Sequence, residues 1–156
     1  VDCDILNADG GTRCASITAA NLALRLGVRR LIAAGICLPQ NMRPTEEQRR
    51  SGWSAPVLSE EDKKAHEMRV MPHDVAAISV GLIDGKSYLD LDYNLDSNAD
   101  VDMNVVKVSD GSFVEVQGTG EEATYQREEL DALLDMADIG FSSLFEMQKS
   151  ILDGQE

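Results

Sequence analysis

The chain has 156 residues, of which 43% are hydrophobic and only 4% aromatic, and its net charge is −14. This length and hydrophobic content suffice for one core without disulfide support, and the scarcity of aromatic residues predicts a core of small aliphatic side chains. The acidity argues against a free-standing nucleic-acid binder, because affinity for a phosphate backbone comes from clustered Lys and Arg. We expect no membrane association, since no apolar run approaches a transmembrane length and no signal peptide is recognisable.

The first element along the chain is a predicted strand at Val1–Leu6, where apolar and acidic residues alternate. A glycine turn follows at Asp9–Arg13, and apolar residues then recur at helical spacing from about Ser16 to Gly35. The beginning of the chain therefore predicts a strand, a glycine loop and a helix. An N-terminus placed directly in a strand, without Met, suggests a truncated or split polypeptide.

The segment 39–72 carries all four prolines and two charged runs. Prolines at these intervals exclude one long element, so we expect a surface insertion with one or two short helices, one of them capped by Ser59. His66 and His73 both lie in or beside this segment without companion metal ligands, and we expect both at the surface.

Strands resume after Pro72. The predicted order is strand 75–83, strand 87–93, an acidic link 94–103, strand 104–108, strand 112–117 and a helical stretch 126–152 broken near Gly140, with Asp-Gly turns closing both hairpins. This order predicts an α+β fold, an α/β two-layer sandwich in which a mixed β-sheet carries helices on one face. We expect one domain, 1–156, with 39–72 as an insertion.

The glycine loop has the chemistry of an anion site. Two glycines allow close backbone approach, Thr12 offers a hydroxyl, Arg13 offers a two-pronged donor, and the following helix directs its N-terminal amides to the same place. The alternative is an ordinary tight turn with Arg13 in solvent. The loop is neither a Walker loop nor a dinucleotide fingerprint.

Five aspartates lie between residues 90 and 102, two at the end of the preceding predicted strand and three in the acidic link. Such a cluster is repulsive unless solvent or a cation offsets it, and a pair such as Asp96 and Asp102 suits Mg²⁺, which prefers one or two carboxylates plus substrate phosphates. The alternatives are a solvated acidic loop or a calcium-binding adaptor site. An anion loop and a cation loop in one domain are together typical of a phosphoryl-transfer centre.

The cysteines are predicted to be buried thiols. Cys3, Cys14 and Cys37 are odd in number and lack metal-ligand spacing, which favours a reducing, cytoplasmic location. Cys14 adjoins the glycine loop, but no histidine lies near it in the sequence, so we interpret it as a packing residue rather than a nucleophile.

These motifs resemble bacterial ribonuclease PH over nearly the whole chain outside 39–72. The similar stretches are 1–4, 8–13, 15–18, 76–81, 90–93, 96–97, 101–106 and 114–119. The resemblance implies a fold like domain 2 of ribosomal protein S5, and it implies a phosphate-dependent 3′-to-5′ exoribonuclease that trims RNA, above all precursor transfer RNA, and releases nucleoside diphosphates.

The resemblance also implies roles for particular residues. Gly11, Thr12, Arg13 and Ser16 would hold the attacking inorganic phosphate, and Asp96 and Asp102 would bind Mg²⁺ or Mn²⁺. Asp102 is in addition a candidate general acid. Positioning and charge then supply most of the catalysis, and no covalent nucleophile is required.

Three departures from the family pattern matter. The family's first half, with a further phosphate-binding arginine and most of the basic RNA-contacting surface, lies outside this chain, so we expect an N-terminal half or full-length copies as partners in a hexameric ring. Leu95 stands where a glutamate is usual, and 39–72 is longer than the usual connection. The alternative function is a non-catalytic RNA-binding or scaffold subunit of an exosome-like ring.

Overall fold

A computed structural model describes residues 1–120 and 123–154 of the chain. The order of its elements is α1 Thr12–Ala33, a 3-10 turn Gln40–Met42, α2 Glu46–Arg50, α3 Glu60–Val70, β1 Val75–Ile83, β2 Lys86–Leu89, α4 Tyr93–Asp96, β3 Val101–Val108, β4 Phe113–Gly120 and α5 Arg127–Asp153. The chain divides into two compact units. The first comprises Val1–Leu22 and Asp74–Glu156, and the second comprises Ala23–His73, which contains the predicted insertion.

The first unit is built on a four-stranded sheet in the order β2-β1-β3-β4. Both predicted hairpins are present, and Asp84 and Gly85 take the positive φ values of 50° and 70° that a tight two-residue turn requires. The α+β class is confirmed. The sheet is antiparallel at all three pairings rather than mixed, because both hairpins and the β1–β3 pair run in opposite directions.

The two faces of the sheet are covered by different helices. Alternate residues of β1 and β3 point to one face, where they form the main core with α5 around Leu133, Ala137 and Phe141. The other face is covered by the start of α1 through Cys14 and Ile17. The prediction of helices on one face is therefore wrong. The reason is visible in β1, where seven consecutive residues are buried, so both of its faces need a cover.

The outer edge of β1 is closed partly by side chains. β2 pairs only with residues 80–83 of β1, and the Thr18 hydroxyl both accepts from the Ala77 amide and donates to the Ala77 carbonyl. The Gln148 carboxamide donates to the Val75 carbonyl at 2.9 Å. These bonds satisfy backbone groups that a longer β2 would otherwise have paired.

Two predicted features are corrected. Val1–Leu6 forms no strand, and Leu6 is 99% exposed, because alternation yields a strand only where a neighbour supplies hydrogen bonds, and no described strand pairs with this segment. α5 is not broken at Gly140. A Cβ there would collide with Ile78 and Leu89, so this glycine lets the helix approach the sheet closely.

The second unit has its own small core of Ile32, Leu38 and Leu58. Its α3 begins as predicted, with the Ser59 side chain accepting from the Asp62 amide. The 97%-buried Arg25 binds Glu67 at 3.1 Å, and Arg29 binds the same carboxylate at 2.9 Å. The paired cations compensate the cost of burying Glu67.

Candidate functional site

The glycine loop turns directly into the first turn of α1. Gly11 has a φ of 67°, a conformation that side chains disfavour, and α1 starts at the next residue. The Thr12 hydroxyl donates to the Asp9 carbonyl at 2.7 Å, and the Ser16 hydroxyl donates to the Thr12 carbonyl at 2.9 Å. Both predicted phosphate-binding hydroxyls are thus anchored to backbone, while the first-turn amides give this end of α1 its positive character.

The loop is tied to the segment that follows β2. The Asp9 carboxylate accepts from the amides of Gly10 and Tyr93, and these bonds, that of Tyr93 first, lower the pKa of Asp9. A Cβ on Gly10 would meet the backbone of Leu91 and Asp92, so only glycine permits this approach. Asp9 and Gly10 therefore hold two parts of the candidate site together that are more than eighty residues apart in sequence.

Arg13 extends across the sheet to β4. One of its terminal nitrogens, Nη2, donates to both carboxylate oxygens of Glu115 at 3.0 and 2.9 Å, and this bond raises the pKa of Arg13. The two side chains are 47% and 39% exposed, a setting in which ion pairs are weak. Glu115 therefore orients the guanidinium, and an incoming anion has to share or replace this partner.

Cys14 lies between the loop and the sheet. It is buried, its thiol contacts the Asn104 side-chain oxygen at 2.7 Å, and burial raises its pKa to about 12. The negative charges of Asp102, Asp90 and Glu115 raise this pKa further, whereas Arg13 opposes them. Cys14 packs against Ala77 and Val106, which agrees with the predicted packing role, whereas Cys3 is exposed, contrary to the prediction of a buried thiol.

Asp102 lies on strand β3 rather than in a link, because β3 begins at Val101. It pairs in register with Gly81 and Thr119, two positions from Asn104, and so shares the sheet face that α1 covers. Asp96 ends the short helix α4, which Asp92 caps through the Leu95 amide. Strand β2 therefore ends at Leu89 and not at the predicted residue 93. The Asp92 side chain accepts from the Leu95 amide and caps α4, so the chain turns into a helix here.

The predicted metal ligands are the carboxylates of Asp96 and Asp102. The described residues contain no group of three or more His, Cys, Asp or Glu side chains suited to a metal ion. The charges of Asp102, Asp90 and Glu115 raise the pKa of Cys14, and the charge of Arg13 lowers it. The predicted pair Asp96 and Asp102 is smaller than such a group, so a divalent ion at this pair stays a prediction.

A pocket of about 330 Å³ opens beside the loop. Gly10, Gly11, Cys14 and Asp90 contribute to its lining, and most of the rest is apolar. Arg13 and Asp102 do not line it. The structure thus brings the loop, Arg13 and Asp102 to one face of the sheet without enclosing them in one cavity.

Three residues of this site were given no role from the sequence: Ser79, Asn104 and Glu115. A Cβ added to Gly11 would lie 3.5 Å from the Cβ of Ser79, and the Asn104 side chain contacts Cys14. A signal existed for the two strand residues, because each is a polar residue inside an apolar strand pattern. No local pattern marks Glu115, which meets Arg13 only after the sheet has formed.

Comparisons with known proteins indicate the family that this chain resembles. Residues 73–140 match the model of domain 2 of the 3′ exoribonuclease family, whose domain is of the ribosomal protein S5 domain 2-like type. Over these residues the chain is similar to this family, and within it to proteins named ribonuclease PH.

Three relatives carry the printed name Ribonuclease PH. That of Rhodopirellula baltica is 44% identical over 152 residues, which is 97% of this chain and 52% of the relative. Those of Synechococcus sp. and Corynebacterium efficiens are each 42% identical, over 96% and 97% of this chain and 49% and 50% of the relatives. The chain spans about half the length of these relatives, as predicted for a C-terminal half.

One further expectation concerns membranes. Among the helices formed by residues 1–120 and 123–154, none combines the length and the hydropathy that crossing a bilayer requires.

Proposed function

We propose that this chain is the catalytic half of a phosphate-dependent 3′-to-5′ exoribonuclease, in which inorganic phosphate attacks the last phosphodiester bond of an RNA and releases a nucleoside diphosphate. One observation supports the proposal: the N-terminus of α1, Arg13 and Asp102 all lie on the same face of the sheet. An attacking anion needs a positive cradle there, and the departing 3′ oxygen needs a proton donor.

Each residue has a task in this proposal. Gly11 and the first-turn amides hold the phosphate, the hydroxyls of Thr12 and Ser16 border it, and Arg13 turns from Glu115 towards it. Asp102 has two candidate roles. In its protonated form it donates its proton to the departing 3′ oxygen, as the bond from phosphorus to that oxygen breaks and the bond to the attacking phosphate forms. In its ionised form it would hold Mg²⁺ or Mn²⁺ together with Asp96, and that ion would supply positive charge near the phosphoryl oxygens.

The substrate and partners of this proposal are those that the family resemblance of the sequence implies. We propose the 3′ end of precursor transfer RNA as substrate, an N-terminal half that completes the active site and a hexameric ring as the assembly. A cytoplasmic location is part of this proposal, supported by three free cysteines. The charge of −14 also favours a partner that supplies basic RNA-contacting surface.

A phosphorolysis assay tests the proposal. The chain, alone and together with the first half of the Rhodopirellula baltica relative, is given a short RNA and inorganic phosphate, and nucleoside diphosphate is measured. We expect the product only when phosphate is present. Asp102→Asn should lower kcat by about 100-fold or more, and Arg13→Gln should raise the KM for phosphate by about tenfold or more.

Two matched controls accompany these variants. Asp135→Asn and Arg127→Gln make the same charge changes at exposed positions of α5, and both should retain activity. The absence of nucleoside diphosphate in both mixtures would contradict catalysis and leave the scaffold function. Equal activity of Asp102→Asn and the unmodified chain would contradict the assigned role of Asp102.

A further inference from the structure

The second unit contains an open pocket of about 570 Å³ that the proposed reaction does not use. Its polar lining consists of Gln40, Asn41, Arg43, His66 and Arg69, and the other two lining residues are apolar. No acidic side chain lines it. Two guanidinium groups, an imidazole and two carboxamides are all able to donate hydrogen bonds, so the lining is suited to an anion.

The charge of this unit differs from that of the remaining chain. Ala23–His73 contains nine Lys and Arg against six Asp and Glu, a net charge of +3. The remaining sequence then has five basic and 22 acidic residues, a net charge of −17. The pocket thus lies in the unit whose net charge is positive, and a positive net charge attracts anions.

His66 provides a second, independent observation. The prediction of a surface histidine is wrong, because His66 is 94% buried on α3, where it packs towards Cys37. Its Nε2 lies 3.7 Å from the Cys37 sulfur, and its Nδ1 has no hydrogen-bond partner among the described residues. A buried polar atom without a partner is unfavourable, and His66 is itself one of the residues that line the pocket.

The two arginines are held in place by backbone. Arg43 donates from Nε to the Leu38 carbonyl at 2.9 Å, and Arg69 donates from Nε to the Ala65 carbonyl at 3.3 Å. No bond of their terminal nitrogens to the described residues is found, so these donors remain for a ligand. Glu67, the neighbour of His66, does not compete, because Arg25 and Arg29 bind it.

We propose that this pocket binds the phosphate group of a nucleotide, as a second anion site that shares no residue with the proposed phosphate loop. Arg43 and Arg69 bind the phosphate oxygens through their terminal nitrogens, and His66 lies in the pocket wall beside the ligand. The volume exceeds what one inorganic phosphate fills and lies in the range of small-ligand sites, which favours a nucleotide. The predicted insertion thereby acquires a ligand-binding role.

NMR of ¹⁵N-histidine tests the site directly, because the chain has only two histidines. ADP, inorganic phosphate and a short single-stranded RNA are titrated separately. We expect ADP to shift the His66 ring signals saturably, while the exposed His73 outside the pocket lining serves as the internal reference. Arg43→Gln with Arg69→Gln should weaken ADP binding by at least about tenfold, since each charge-assisted bond accounts for about that factor.

The control removes two positive charges from the same unit outside the pocket lining. Arg49→Gln with Lys64→Gln should leave the affinity within about twofold, and both double variants alter only exposed residues. A response to inorganic phosphate as strong as that to ADP would overturn the nucleotide as ligand and leave a simple anion site. A response to RNA with none to ADP would overturn a site for free nucleotides. Unchanged His66 signals with all three probes, or equal weakening in both double variants, would overturn it. Because His66 is read without any activity, failure here is distinct from failure of phosphorolysis.

Discussion

Asp9 is the residue on which the geometry of the glycine loop most depends. Its carboxylate accepts from the Tyr93 amide, and the loop backbone lies against Leu91 and Asp92. The sequence shows Asp9 only as a turn residue before two glycines. Its contact with the segment after β2 joins residues 84 positions apart, so it depends on the completed sheet.

Acid should release this contact. The pKa of Asp9 is lowered in the folded state, so its contribution is complete above the ordinary aspartate pKa of about 4 and is lost as the pH falls through the lowered value. We expect hydrogen-exchange protection of the Tyr93 amide to be constant from about pH 7 to 5 and to fall below about pH 4, after correction for intrinsic exchange.

The Ala77 amide is the reference in the same experiment, because it is held by the Thr18 hydroxyl, which does not titrate. Asp9→Ala should abolish the acid step at Tyr93 and leave Ala77 unchanged. Parallel loss of protection at both amides would indicate global acid unfolding rather than release of the loop.

At the level of elements, local patterns predicted most of the structure. The uninterrupted apolar run of β1 and the Asp-Gly turns gave the correct hairpins, and the helical spacing gave α1 and α5. The boundaries of β2 and β3 were wrong, because the Asp92 cap converts the acidic link into α4 and frees Val101 to start a strand. Side-chain capping competes with strand extension, and sequence alternation does not resolve that competition.

Two glycines in helices should respond in opposite directions to the same substitution. Gly140→Ala places a methyl group against Ile78 and Leu89, and we expect it to lower the free energy of unfolding by about 1–3 kcal/mol. Gly27→Ala in α1 meets nothing within 4 Å and should raise it by about 0.5–1 kcal/mol. Urea unfolding followed by circular dichroism measures both. Stabilisation by Gly140→Ala would contradict the close approach of α5 to the sheet.

For the whole molecule, the decisive property is the concentration of negative charge. The net charge of −17 outside Ala23–His73 produces repulsion that mobile ions screen. Raising KCl from 10 to 150 mM shortens the screening length from about 30 to about 8 Å. We expect the thermal midpoint to rise by about 2–4 °C, which corresponds to roughly 1 kcal/mol. A midpoint that falls over this range would show that favourable ion pairs outweigh the repulsion.

The sequence by itself determined the class of fold, the hairpins, the glycine loop and the order of motifs that assigns the family, since these depend on neighbouring residues and their periodicity. Only the tertiary structure decided that Arg13 meets Glu115, that Asp102 lies on a strand and that His66 is buried against Cys37. Arg13 and Glu115 are 102 positions apart in the sequence, and Cys37 and His66 are 29 positions apart. Burial and charge pairing at such distances arise from the packing of whole elements, which no local pattern encodes.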